Sequence, residues 1–98
     1  MKDAEINLAI AKIEYPNAKY IEETEGSYIQ VTNDGFTDYW DYCNNWSDIG
    51  PIIEREKLDL TATEDGWEAN GYFYEKRTSA ETPTKAAALC YLKMRESE

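Results

Sequence analysis

Residues 27–43 read SYIQVTNDGFTDYWDYC, and the fold turns on this stretch. Ser27 to Thr32 is rich in Tyr, Ile, Val and Thr, the composition of a strand. Asn33-Asp34-Gly35 follows, and Asp-Gly suits the positive-φ positions of a tight hairpin. Phe36 to Cys43 then reads as the return strand. Phe36, Asp38, Trp40 and Tyr42 fall on one face of it, and Thr37, Tyr39, Asp41 and Cys43 on the other.

Upstream, Asp3 to Tyr15 has helical spacing, with Ile6, Ile10 and Ile13 on one face. Asp3 is the expected N-cap, and Pro16 ends the helix. A short extended piece over Lys19 to Glu22 and a turn over Glu22 to Gly26 lead into the hairpin. Downstream, Asn44-Asn45 breaks the strand, and Trp46 to Glu56 reads as an irregular helix striped by Ile49, Ile52 and Ile53. Gly50-Pro51 predicts one turn before the proline and a cleaner helix after it. Leu58 to Ala62, the turn Glu64-Asp65-Gly66 and Trp67 to Tyr74 form a second hairpin, with Trp67 and Phe73 in the core. Thr82 caps a last helix, Pro83 opens it, and Ala86, Leu89, Cys90 and Met94 form its buried stripe. Hairpins separated by helices predict an α+β fold. It is expected to be a two-layer, single domain over residues 1–98, with an antiparallel sheet of about four strands packed against two or three helices.

The 98 residues suffice for one core and leave no room for a second. They hold 20 acids against 10 bases and no histidine, a net charge of −10. Such a chain is not expected to bind nucleic acid directly, since phosphates demand Lys and Arg, nor an anionic membrane. Without histidine there is no Ser–His–Asp or Cys–His pair, and no glycine loop of the phosphate-binding kind is present. Asp34, Asp38 and Asp41 begin like a calcium loop and lack its closing Glu. Cys43 and Cys90 are too few for a disulfide scaffold and read as buried, reduced thiols. The expectation is a protein that is not an enzyme and needs no cofactor or metal. Lys2, Asp3 and Glu5 after Met1 argue against a signal peptide, and the apolar run Ala86 to Leu92 is too short to span a bilayer. A cytoplasmic location follows.

The charge is not spread evenly. Between Lys19 and Arg55 stand Glu22, Glu23, Glu25, Asp34, Asp38, Asp41, Asp48 and Glu54, eight acids and no base. Acidic surfaces commonly serve only solubility, but such surfaces usually mix both signs. A one-sign stretch on a rigid sheet can instead imitate a row of phosphates and enter a groove built to bind them. Tyr39 and Trp40, set among these acids, would anchor the contact, since aromatics are enriched in interface hot spots. The expected partner is the basic groove of a host nucleic-acid-binding protein or complex. The competing reading is an aromatic pocket around Trp40, Tyr42 and Trp46 that stacks a nucleotide or signalling molecule.

Several short motifs resemble one family. Asp41-Tyr42-Cys43-Asn44-Asn45, Gly50-Pro51-Ile52-Ile53-Glu54-Arg55-Glu56, Trp67-Glu68-Ala69, and Thr82-Pro83 leading into Ala86-Ala87-Ala88-Leu89-Cys90-Tyr91 resemble the NinX family of lambdoid-phage and prophage proteins. Glu5-Ile6-Asn7, with Ala9 and Ala11, fits its opening helix. The resemblance runs over most of the chain in the same order, and Gly-Pro-Ile-Ile-Glu is its most specific part. It implies a small phage or prophage protein acting inside a bacterial cell, and it carries over no catalytic residues. Small acidic phage proteins that mimic DNA and block restriction or CRISPR machinery form an analogous class, alike in charge rather than in sequence.

Overall fold

The computed structural model describes residues 2–72 and 74–96. Helix α1 (Asp3–Glu14) leads into strands β1 (Tyr20–Glu23), β2 (Ile29–Asn33) and β3 (Phe36–Trp40). Helix α2 (Trp46–Glu56) separates these from β4 (Asp59–Ala62), β5 (Trp67–Gly71) and β6 (Lys76–Ala80), and α3 (Pro83–Glu96) follows. The fold is α+β, as expected, but the strands form two three-stranded antiparallel sheets, β1-β2-β3 and β4-β5-β6, rather than one sheet of four. The extended piece after α1 is a true strand paired with β2, from Tyr20 opposite Thr32 to Glu23 opposite Ile29. β6, Lys-Arg-Thr-Ser-Ala, gave no strand signal because it is a polar edge strand.

Asp34 (φ 49°) and Gly35 (φ 82°) form the two-residue turn between Asn33 and Phe36. Positive φ at both positions matches the strand twist, which is why Asp-Gly works there. β3 stops at Trp40, earlier than expected. The carbonyl of Asp41 accepts from the amides of Asn44 (3.4 Å) and Asn45 (2.9 Å), folding Tyr42 and Cys43 into a turn that is buried beneath the sheet.

Lys2, not Asp3, occupies the cap position of α1, and Asp3 is the first helical residue. There its carboxylate takes Lys85 Nζ at 3.0 Å and Asn44 Nδ2 at 3.1 Å. Asn45 caps α2, its Oδ1 accepting from the Ser47 amide at 3.1 Å. α2 runs unbroken through Pro51. Two features permit this: Gly50 offers the proline ring no side chain to strike, and the carbonyl that loses its donor belongs to exposed Ser47.

α1 packs on β1 and β2, and α3 packs on the second sheet while also touching α1 and α2. α3 is buried on nearly every side. The expected stripe of Ala86, Cys90 and Met94 is joined by Thr84, Ala87, Ala88, Tyr91 and Leu92, whereas Leu89 is half-buried. Three consecutive alanines keep it thin enough for neighbours all round. Trp67 packs against the core, and Phe73 lies outside the described residues.

The turn before β5 is tight. A Cβ on Gly66 would stand 2.5 Å from the Ala80 carbonyl oxygen on the neighbouring strand. Gly66→Ala is therefore expected to lower stability by about 1 kcal/mol, because backbone rather than a flexible side chain must yield. Urea denaturation should show a lower midpoint with an unchanged slope, and an unchanged midpoint would contradict the clash.

Candidate acidic protein-binding surface

The first sheet carries most of the charge that the sequence singles out. Its central strand β2 holds Ile29 and Val31, buried on the face toward α1, and Gln30 and Thr32 on the face away from it. Register fixes where the neighbours sit. Glu22, Gln30 and Tyr39 form one cross-strand row on the outer face, next to the row Tyr20, Thr32 and Thr37. Glu23 and Trp40 flank Ile29 on the inner face, and Asp38 lies opposite Val31 on that same face. Asp34 is at the hairpin tip, and Glu25 is in the loop between β1 and β2.

The acids thus wrap the rim of the sheet instead of forming a row on one face. They lie on the two edge strands and their turns, where charge also blocks pairing with another chain's strand. Glu22, Glu23, Glu25, Asp34, Asp38 and, on α2, Glu54 are all exposed. Among the described residues, the ion pairs join Arg55 to Glu14 and Glu56, Arg77 to Glu68, Lys85 to Asp3, and Arg95 to Glu56. None neutralises the rim.

Two of the eight acids are not part of this surface in the way the sequence suggests. Asp41 is 3% exposed. Its carboxylate accepts from Asn7 Nδ2 at 2.9 Å, Ser27 Oγ at 2.5 Å and Asn44 Nδ2 at 3.1 Å. It is an internal tie between α1 and two loops, and it cannot face a partner. Asp48 is half-buried, and its Oδ2 accepts the Asp41 amide at 2.9 Å. Asp41 was misread because alternation along Phe36–Cys43 presumes a strand that has already ended, and Asp48 because its side chain, in the first turn of α2, turns back to the Asp41 amide.

The aromatics divide likewise. Tyr39 is 57% exposed and stands at the end of the Glu22 row. Trp40 packs against the core between two rings, stacked on Tyr42 at 5.7 Å and 2°, and tilted on Tyr15 at 5.7 Å. With Tyr42 buried and Trp46 apart from this stack and exposed, the expected pocket around Trp40, Tyr42 and Trp46 has no free ring pair to hold a base. Burial pushes the Tyr15 hydroxyl above its usual pKa, and the charges of Asp38, Glu14 and Asp48 push it further, so the inner side of the rim is electronegative. Tyr20 and Tyr28 are also exposed. The alternation of Tyr28, Gln30 and Thr32 with Ile29 and Val31 is the signal that marks Tyr28 as outward.

Neither thiol is poised for chemistry. Burial pushes Cys43 up to about 12, and Asp3 and Asp41 add to the rise; burial raises Cys90 as well. Among the described residues, no three Cys, Asp or Glu side chains gather to hold a metal ion, and no helix is long and apolar enough to cross a membrane. Compared with known proteins, the chain matches the family described as Bacteriophage P22, NinX, over residues 1–95. No curated protein matches it.

Proposed function

Since the chain belongs to the phage NinX family, we propose that it is a phage- or prophage-encoded inhibitor acting in the bacterial cytoplasm. It binds the basic groove of a host nucleic-acid-binding defence complex, of the CRISPR or restriction kind, and holds that groove closed to DNA. It is not an enzyme, binds no nucleic acid itself and needs no membrane. One observation carries this reading: Glu22, Glu23, Glu25, Asp34 and Asp38 are exposed on a single sheet with no base among the ion pairs to neutralise them. Carboxylates left unpaired on a rigid support attract a cationic groove over long range and release it as salt rises. Exposed Tyr39 and Tyr20 supply ring faces on which Arg side chains can stack.

The test is protection. Bacteria carrying restriction or CRISPR immunity and expressing the chain should plate susceptible phage more efficiently than cells without it. Glu22→Lys, Asp34→Lys and Asp38→Lys together should abolish that protection while leaving the circular dichroism spectrum and melting temperature in place. Equal protection by the folded triple variant, or none by the wild type in either immune background, overturns the reading.

A further inference from the structure

Helix α1 packs on one face of the first sheet, and the other face is open. Tyr20, Tyr28 and Tyr39 all stand exposed on that open face. Gln30, Thr32 and Thr37 lie between them, and Glu22 is the one charged residue that the register puts there. The other exposed acids surround it: Glu25 in the β1–β2 loop, Asp34 at the hairpin tip and Asp38 on the β3 edge. An aromatic centre inside a charged rim is the anatomy of a protein contact.

The face already holds one cation of the chain's own. Lys19 Nζ stands over the Tyr20 ring, 5.7 Å from its centroid. Tyr28 and Tyr39 hold none among the described residues.

We infer that this tyrosine face is the contact centre for an arginine-bearing surface of a partner protein, with the acids as its rim. The inference rests on the proposed binding of a basic groove and narrows it: arginine, rather than lysine, makes the central contacts. A guanidinium is planar, so it stacks on a ring and pairs with a carboxylate through two N–H groups, whereas an ammonium acts as a point charge. Sheet spacing puts Tyr20 about 7 Å from Glu22 along β1, and Tyr39 about 10 Å from it across β2. One guanidinium paired with Glu22 therefore has the Tyr20 ring beside it, and a second has Tyr39. A second copy of this chain does not fit. A two-fold contact through this face would bring Glu22 and the rim acids of both copies together, in a protein of net charge −10.

The experiment is an NMR titration of the ¹⁵N-labelled full chain at low salt with hexa-arginine and hexa-lysine peptides. Saturable shifts are expected at the amides of Tyr20, Glu22, Gln30 and Tyr39, with hexa-arginine binding about fivefold more tightly. The combined variant Tyr20→Ser, Tyr28→Ser and Tyr39→Ser keeps every charge and should weaken hexa-arginine binding about tenfold at an unchanged circular dichroism spectrum. Should it not fold, Tyr39→Ser alone, on an exposed edge strand, is expected to weaken binding about threefold. In sedimentation, the wild type should be a monomer. Equal binding of the two peptides, shifts confined to the amides near Glu25, Asp34 and Asp38, undiminished binding by the folded tyrosine variant, or a dimer that this variant dissolves overturns the inference. The first three of these results leave the acidic rim as a binding surface. Conversely, the expected titrations together with no phage protection overturn the inhibitor function and leave the arginine-selective face standing.

Discussion

Alanine at Asn7 is expected to lower the folding free energy by about 3 kcal/mol, because buried partners would lose their hydrogen bonds together. Asn7 is fully buried on α1. Its Nδ2 donates to the Ser27 carbonyl at 2.8 Å and to Asp41 Oδ1 at 2.9 Å, and its Oδ1 accepts from the Cys43 amide at 3.0 Å. One side chain therefore joins the first helix to the loop before β2 and to the turn after β3. Truncation would leave the Cys43 amide, the Ser27 carbonyl and part of the Asp41 carboxylate without partners. For a chain of this size that loss corresponds to a fall of roughly 12–24 °C in melting temperature. A fall below about 4 °C would show that water or a neighbour replaces the amide.

Glu14→Gln is the second large effect, with an expected loss of about 2 kcal/mol at neutral pH. Glu14 ends α1 and receives Arg55 of α2 through both oxygens, at 2.9 and 3.0 Å, and the Tyr91 hydroxyl of α3 at 2.6 Å. Arg55 also reaches Glu56 at 2.9 Å, and Arg95 reaches Glu56 at 2.8 Å, with both guanidinium groups over the Tyr91 ring. Arg55 is half exposed, which limits the worth of the pair to less than a buried one would give. Burial alone pushes the Glu14 carboxyl up. The hydrogen bonds from Arg55 and Tyr91 and the charges of Arg55 and Arg95 outweigh it, and the group sits below its ordinary 4.5. A depressed folded value means the contribution is complete above pH 4.5 and disappears as pH falls through the folded value. Asp3, lowered chiefly by its hydrogen bond from Lys85, behaves alike but is present in both proteins. The stability gap between wild type and Glu14→Gln should thus be constant near neutrality and shrink in acid. A gap that widens below pH 4.5 would contradict the sign.

Local chemistry made much of the fold readable. Asp34-Gly35 dictated its turn, Thr82 the start of α3, and the isoleucine spacing α1. What escaped was decided at a distance. β6 is a strand because β5 offers it a partner, not because Lys-Arg-Thr-Ser-Ala favours one. Asp41 looked like its acidic neighbours along the chain, and only the approach of Asn7, 34 positions away, draws it inside. The rim acids were legible as a run without bases, but their division between two faces depended on the register with β2.

The burial of α3 bears on how the chain is made. Residues 83–96 provide the layer that covers the second sheet and touches both other helices, and they are synthesised after all of those elements. A nascent chain halted before Pro83 has a second sheet whose apolar face has nothing to rest on, and α1 and α2 lack the ring of Tyr91 between them. Packing of the second sheet therefore waits for α3. The hairpins are ready parts, and the alanine-rich helix is the piece that locks them.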